Sequence, residues 1–186
     1  MRENERRDYE ETIVRLMGEA RTDKLTGLGN YQGFREYCEN LAGLGVPFSV
    51  VLFDLTNLKR ANDTLGHFGA DTMLNKIGRV IRLSGDRRTE GNDLGFDAAF
   101  RHGGDEFAVV LPCCPVGGAL NTLTRIEQAI GVSELPDGSP VRAVGAVAHM
   151  PPNGDLDAEL NRADKALENR KRAWKDATQP GHDTHR

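Results

Sequence analysis

Three acidic side chains are the residues of this sequence best suited to chemistry. Asp105 and Glu106 follow two glycines in the stretch RHGGDEFAVVLP, and Asp54 lies near the end of the apolar run PFSVVLFDL. Glycine tolerates positive φ, so Gly103 and Gly104 can form a tight reversal between two strands and let a ligand approach the backbone. The sequence therefore predicts a β-hairpin from which two acids project.

These acids predict a divalent cation if the fold brings them together. Converging carboxylates repel one another unless a cation lies among them, and all-oxygen ligands suit Mg²⁺ or Mn²⁺. A magnesium ion in turn implies a ligand that carries phosphate. For the stretch GGDE alone, a simple polar hairpin is the alternative interpretation, because Gly-Gly-Asp is common in turns.

The elements that must position the acids alternate between helix and strand. Residue spacing and apolar runs predict helices at 31–44, 116–130 and 156–175, and strands at 47–55, 96–102, 107–111 and 141–149. A further helix carries apolar residues at helical spacing, namely Met73, Leu74, Ile77, Val80 and Ile81. This order predicts an α/β fold with a central mixed, largely antiparallel β-sheet flanked by helices.

Composition excludes several classes of protein. The chain has 186 residues, a formal net charge of −4 and a mean hydropathy of −0.50, which suits one soluble domain with appendages. The negative charge argues against a broad surface for a nucleic acid polymer. No apolar run approaches the roughly 18 residues of a membrane span, so we expect no membrane segment and a cytoplasmic location. Three cysteines without metal-binding spacing indicate buried or incidental thiols.

The chain divides into three parts. Residues 1–22 predict a signalling or coiled-coil-like helix, because Tyr9, Ile13, Leu16 and Ala20 are spaced as in a coiled-coil seam. This segment is either a solvated lead-in helix or a dimerising helix that continues from an upstream sensory domain. Residues 23–176 form the main domain, and the polar residues 177–186 predict a disordered tail.

Five blocks of the main domain resemble, in order, the GGDEF domain, which is the catalytic domain of bacterial diguanylate cyclases. The signature GGDEF is intact at 103–107, with Arg101 two places before it. The other blocks are DKLTGLGN at 23–30, FDLTNLKRANDTLGHFGAD at 53–71, VRAVGAVA at 141–148 and ADKALENRKRAWK at 163–175. The resemblance covers about residues 22–176 and implies the palm-like, nucleotidyl-cyclase-like form of the α/β fold.

The resemblance implies a nucleotidyltransferase that condenses two GTP into cyclic di-GMP and two pyrophosphates. In that reaction the 3′-hydroxyl of one GTP attacks the α-phosphate of the other, assisted by Mg²⁺ or Mn²⁺. Because each domain holds one GTP and the product is a two-fold symmetric ring, a homodimer is implied for catalysis. The alternative is an inactive GGDEF domain that serves as a nucleotide receptor or scaffold, and a nucleotide enzyme with another product is a third possibility.

Site residues follow from the resemblance position by position. Asp54, Asp105 and the Leu55 carbonyl are the implied metal ligands, and Glu106 completes the acidic cluster and assists deprotonation of the attacking hydroxyl. A carboxylate can accept from guanine N1–H and the 2-amino group together, which favours GTP over ATP. The implied substrate-binding residues are Asn62 and Asp71 for guanine, the Asn57 and Leu58 backbone for phosphate, and Lys171 and Lys175 for phosphate.

Several positions depart from the family pattern. Thr56 replaces the second Asp of the motif D-x-D, and Ala70 replaces the Gly before Asp71. Further replacements are Tyr31 for Arg, Leu58 for Phe, Ala143 for Ser, Glu168 for Tyr and Trp174 for Gly. None of these replacements removes an implied metal ligand, but together they leave room for reduced turnover.

A second, inhibitory product site of many GGDEF domains is degenerate in this sequence. Its motif R-x-x-D falls on Leu94 and Asp97. Leucine has no charge and no hydrogen-bond donor, so it cannot replace the bidentate contact that arginine makes with phosphate or guanine. We therefore expect no tight product inhibition through this site.

Overall fold

A computed structural model describes residues 20–85, 97–132, 138 and 140–178. The predicted coiled-coil seam through Tyr9, Ile13 and Leu16 lies outside the described residues, as does Leu94 of the degenerate product site. Nearly all of the predicted tail also lies outside them.

Five strands form a single mixed sheet in the order β1-β3-β4-β2-β5. β1 pairs with β3 in parallel, and the other neighbouring strands pair antiparallel. The predicted central, largely antiparallel sheet is therefore confirmed, although the two-residue β1 was not predicted because it is too short to show alternation. The strands are β1 Gly29–Asn30, β2 Phe48–Leu55, β3 Ala98–Gly103, β4 Glu106–Pro112 and β5 Ala143–Met150.

Four helices cover the two faces of this sheet. The central strand β2 is buried along its whole length, which explains its continuous apolar run. Its Val51 and Phe53 pack under α2 and α3, while Val50 and Leu52 pack under α1 and α4. The helices are α1 Tyr31–Gly43, α2 Leu58–Gly85, α3 Val116–Gly131 and α4 Leu156–Thr178.

The helix predicted around residues 73–81 begins much earlier, at Leu58. Its backbone leaves the helical region at Gly66, where φ is 68° and ψ is 172°, so α2 consists of two helical segments joined by a kink. Apolar spacing did not predict the first segment because its sequence, LKRANDTL, is mostly polar. Asn30 begins α1 by accepting a hydrogen bond from the Gly33 backbone N–H at 3.0 Å.

Cys38 and Cys114 are buried free thiols, and Cys113 is half-buried. Burial raises the pKa of the Cys38 thiol to about 12. Within the described ranges, no helix combines the length and the apolar character that crossing a bilayer requires.

Gly145 in β5 gives a test of the packing between β2 and α3. A Cβ at this position would lie 2.4 Å from Cδ1 of Leu123 and 2.9 Å from the Leu52 carbonyl oxygen, and the backbone atom cannot move aside. We expect Gly145→Ala to lower the free energy of unfolding by about 1–3 kcal/mol. Chemical denaturation followed by circular dichroism measures this change.

Gly117→Ala is the matched control. Gly117 lies in α3, and a Cβ added there would meet nothing within 4 Å. Because alanine favours a helix over glycine by up to about 1 kcal/mol, this variant should be as stable as wild type or slightly more stable. Equal stability of the two variants would show that a Cβ at position 145 fits beside Leu123 and the Leu52 carbonyl, which would contradict the packing described above.

Candidate active site

The three acids lie at one end of the sheet, where β2 ends and the hairpin β3–β4 turns. Asp54 of β2 is directly opposite Glu106 of β4 in the antiparallel register. Side chains of such a pair are on the same face of a sheet, with Cβ atoms about 4.5–5.5 Å apart. The Leu55 backbone N–H donates to the Asp105 carbonyl at 3.0 Å, which fixes the hairpin tip against the end of β2.

The hairpin takes its shape from two glycines and one arginine. Gly103 and Gly104 have φ values of 148° and 52°, which favour glycine. The Arg101 guanidinium donates to the Gly104 carbonyl from Nε at 3.1 Å and from Nη2 at 2.7 Å. Its Nη1 also contacts both carboxylate oxygens of Asp23 at 3.3 Å. Arg101 therefore joins the first sequence block, 23–30, to the signature turn.

Asp23 is itself held by Thr26. One carboxylate oxygen of Asp23 accepts from the Thr26 backbone N–H at 2.8 Å and from the Thr26 hydroxyl at 2.6 Å. Burial opposes ionisation of Asp23, but the Thr26 hydrogen bonds and the Arg101 charge outweigh it and hold the pKa of Asp23 below its ordinary value. The anionic form of Asp23 thus stabilises the folded state.

Asp54 is in the opposite electrostatic situation. The residue is only 5% exposed, and burial together with the charges of Asp105 and Glu106 raises its pKa above the ordinary value. Lys171 of α4 counteracts part of this rise, because its Nζ donates to Asp54 Oδ2 at 3.0 Å. Glu168 also lies 3.2 Å from the same Nζ. One lysine thus compensates the acidic cluster only in part.

A cavity of about 610 Å³ opens beside this ion pair, between the start of α2 and the second half of α4. We call it the site cavity. Seven of its lining residues were predicted as site residues: Asp54, Leu55, Asn57, Leu58, Asp105, Lys171 and Lys175. Basic groups on both helices therefore face the acids across one space, an arrangement that suits a phosphate chain with a cation.

The sequence prediction missed five lining residues, namely Thr56, Lys59, Arg60, Asp63 and Trp174. A signal for two of them was present, since Lys59 and Arg60 directly follow the predicted phosphate-binding turn and lie in the first turn of a helix. Trp174 gave no such signal, because its spacing on α4 is equally typical of a core position.

Three predicted site residues lie outside the lining of the site cavity. Glu106 lines an adjoining cavity of about 380 Å³, together with Asp164 and Glu168. Asn62 is half-buried and Asp71 is exposed, and they lie on opposite sides of the kink in α2. The phosphate-binding and guanine-binding predictions therefore fall on separate surfaces.

Asp97 directly precedes β3, away from the site cavity. Burial is the main reason for the raised pKa of Tyr37, and the Asp97 charge raises it further. This placement agrees with a strand-start acid but does not test the degenerate product site, because Leu94 is not described.

The turn before α2 is tied to the segment before β5. Asn57 has a φ of 67°, and its Nδ2 donates to the Pro140 carbonyl at 2.9 Å. The Thr56 backbone N–H donates to the Arg142 carbonyl at 2.9 Å. Leu58 is the first residue of α2, and the N–H groups of a first helical turn have no partner within the helix. A helix start of this kind can bind an anion, and Leu58 lines the site cavity.

The donor atoms at this end of the sheet suit a hard divalent cation. The Asp54 and Asp105 carboxylates and the Leu55 carbonyl are oxygen ligands, and Lys171 leaves the acidic charge only partly compensated. Among the described residues, no three His, Cys, Asp or Glu side chains form a metal-binding group by themselves. Backbone and ligand oxygens would therefore have to complete the coordination.

This fold defines a domain of the GGDEF type. The sequence profile described as "Diguanylate cyclase, GGDEF domain" matches residues 20–177, and the chain belongs to this family.

Curated relatives carry the same domain within longer chains. The chain is 31% identical over 164 residues to diguanylate cyclase DgcP of Pseudomonas aeruginosa, which covers 84% of this chain and 23% of DgcP. It is 37% identical over 138 residues to diguanylate cyclase DgcS of Shewanella oneidensis, which covers 67% of this chain and 42% of DgcS. The chain thus spans less than half the length of these relatives.

Solved structures support the fold. The coiled coil and GGDEF domain of DgcB from Caulobacter crescentus, in complex with c-di-GMP, aligns with a TM-score of 0.75 at 23% identity and covers 91% of this chain and 90% of that one. Diguanylate cyclase SiaD of Pseudomonas aeruginosa, in complex with its activator SiaC, aligns with a TM-score of 0.70 at 25% identity over 91% of this chain and 65% of SiaD.

The pKa of Asp54 predicts that this residue weakens the fold at neutral pH. When the pKa of an acid is raised in the folded state, the folded protein becomes less stable as the pH rises through that pKa. Asp54→Asn removes this cost, so in a buffer with a metal chelator we expect the free energy of unfolding at pH 7 to rise by roughly 0.5–2 kcal/mol. Urea denaturation across a pH series measures the effect.

Asp23→Asn is the matched comparison, with the opposite sign. The pKa of Asp23 is lowered in the folded state, so its contribution is present at neutral pH and is lost as pH falls through that pKa. We expect Asp23→Asn to destabilise the protein at pH 7. A loss of stability in both variants would contradict the partial compensation of Asp54.

Proposed function

We propose that the chain is an active diguanylate cyclase, which condenses two GTP into cyclic di-GMP and two pyrophosphates. The supporting observation is that Asp54, Asp105 and Glu106 are intact and adjacent, and that the site cavity beside them carries Lys171 and Lys175. A domain retained only as a scaffold or nucleotide receptor gains nothing from an acidic cluster that Lys171 compensates incompletely. This argument favours the enzyme over the alternative.

Asp54, Asp105 and the Leu55 carbonyl would hold Mg²⁺ or Mn²⁺, with Glu106 beside them. When bound, the cation would lower the pKa of the attacking 3′-hydroxyl and offset the negative charge on the leaving pyrophosphate. Glu106 would accept the proton of that hydroxyl; two observations support this role, namely that Glu106 shares a sheet face with Asp54 and that its side chain is exposed.

The phosphate chain of GTP is proposed to lie in the site cavity between α2 and α4. The backbone N–H groups of Asn57 and Leu58 serve it from one side, and Lys171 and Lys175 serve it from the other. Lys171 contacts Asp54, and its flexible stem would let the ammonium group also reach a phosphate oxygen. Lys59 and Arg60 add positive charge on the α2 side.

Asn62 and Asp71 are proposed to bind the guanine base. They flank the kink at Gly66, so a base held by both would lie across the two segments of α2, beyond the phosphate-binding part of the site cavity. The Asp71 carboxylate is exposed and can accept from guanine N1–H and the 2-amino group.

Catalysis is proposed to need two copies of the domain. Each site holds one GTP, so the two nucleotides of the product come from sites that face each other across a two-fold axis. We also propose a cytoplasmic location and an upstream sensory domain that controls this pairing. The absence of tight product inhibition at Leu94 and Asp97 stays a prediction.

The acidic residues of the hairpin provide the direct test. Asp105→Asn and Glu106→Gln each remove a charge from the acidic cluster, and we expect each to lower cyclic di-GMP formation by roughly 10²–10³-fold. Glu39→Gln is the control, because Glu39 is an exposed acid on α1 that pairs with Arg35. Product is measured by chromatography after incubation with GTP and Mg²⁺. Near wild-type synthesis by either hairpin variant would refute the assignment, provided that circular dichroism shows an unchanged fold.

Dimer-dependent catalysis predicts a specific activity that rises with protein concentration. Deleting residues 1–21, which contain the predicted seam, should make this rise steeper because the pairing of domains becomes weaker. Initial rates over a dilution series, with light scattering to follow the mass, measure both effects. A constant specific activity for a purely monomeric protein would contradict the two-site reaction.

A further inference from the structure

Trp174 is a cavity residue for which the proposed reaction gives no role. Among the described residues that line the site cavity it is the one aromatic side chain, and it lies on the α4 wall with Lys171 and Lys175. The other walls carry acids, basic groups, short polar side chains and two leucines. A large flat side chain in a cavity of this kind provides contact area that none of its neighbours can provide.

Core packing explains only part of the Trp174 surface. Ala163 and Leu167 precede it on the inner face of α4 and belong to the hydrophobic cluster under α1 and α4. Trp174 is half-buried and packs against the same cluster from its edge. The rest of the indole borders the site cavity, so a bound ligand can cover it.

The position of Trp174 on α4 places it beside the phosphate-binding groups. Residues three apart on a helix are neighbours, with Cβ atoms about 5–6 Å apart, so the indole lies next to Lys171. Lys175 is the following residue and lines the same cavity. An apolar ring beside such lysines keeps water away from them and so strengthens their attraction to an anion.

We infer that Trp174 is a substrate-binding residue whose indole covers the phosphate chain of GTP between Lys171 and Lys175. This inference rests on the proposed function, because it assigns one more contact to the same nucleotide. The ring excludes water from the lysine–phosphate contacts. The contact improves binding of the nucleotide and is expected to affect KM more than kcat.

The test uses the fluorescence of the protein itself. Trp174 is the single tryptophan of the chain, so all indole emission comes from this residue. GTP and inorganic pyrophosphate, each with Mg²⁺, should change the emission and protect the indole from quenching by acrylamide. Guanosine, which lacks phosphate, should do neither. Calorimetry on the same samples records independently whether GTP binds.

Three variants separate a contact with substrate from a structural role. Trp174→Ala should raise KM for GTP by about 3- to 10-fold, and Trp174→Phe should raise it less, because it keeps a ring. Tyr37→Leu is the matched control: Tyr37 is a half-buried aromatic that packs against the same hydrophobic cluster but does not line the site cavity. Its KM for GTP should stay within about twofold of wild type.

The outcomes distinguish this inference from the proposed function. GTP binding and product formation with unchanged emission and unchanged quenching would overturn the role of Trp174 alone. A response to guanosine without phosphate would also overturn it, since the indole would then contact the nucleoside. No binding of GTP by calorimetry and no product would overturn the proposed function and this inference with it. An equal rise of KM in Tyr37→Leu and Trp174→Ala would show a structural role only.

Discussion

The incompletely compensated charge of Asp54 is the constraint on which the rest of the site depends. A carboxylate at the end of a buried central strand, opposite Glu106 and close to Asp105, is costly unless positive charge is nearby. One lysine from α4 supplies part of that charge. The remaining negative charge disfavours the ionised form of Asp54, and it is also what would attract the cation of the proposed reaction.

The strands and turns around Asp54 hold the three acids close to one another. β2 is held between β4 and β5 along its whole length, and the backbone contact from Leu55 to Asp105 ties the hairpin tip to it. The turn after β2 is fixed by Asn57 and Thr56 through carbonyls that precede β5. The strands that carry the acids therefore cannot separate to reduce the repulsion between the carboxylates. A nearby positive charge reduces it instead.

The sequence predicted the parts of the structure that local patterns determine. The strands around Gly103 and Gly104 and the central apolar strand were correct within about two residues at their ends, because their apolar runs and turn residues are strong signals. The first segment of α2 was not predicted, since its apolar face consists of only three residues, Leu58, Ala61 and Leu65, in an otherwise polar sequence. β1 was missed because pairing with β3 determines it, and not its own two residues.

The candidate site also has some features that the sequence predicted and others that depend on how the elements pack. Motif resemblance predicted the acids, the turn and the two lysines of α4, which all lie at one end of the sheet. It could not show that Lys171 contacts Asp54, because that contact depends on how α4 packs across β2. The sequence also did not predict that Trp174 borders the site cavity. Helical spacing indicates which side of α4 faces the core, but it does not show which residues on that side lie past the edge of the core.

The contacts of Arg101 have a mechanical consequence. One guanidinium holds both the Asp23 carboxylate, close to where the domain begins, and the Gly104 carbonyl in the turn that carries Asp105 and Glu106. Asp23 follows residues 1–22 directly in the chain, so a twist or pull on that segment reaches this guanidinium. Arg21 and Thr22 connect the same segment to α1 and to β1, so the hairpin shares such a force with these two elements and lies only one side chain away from Asp23.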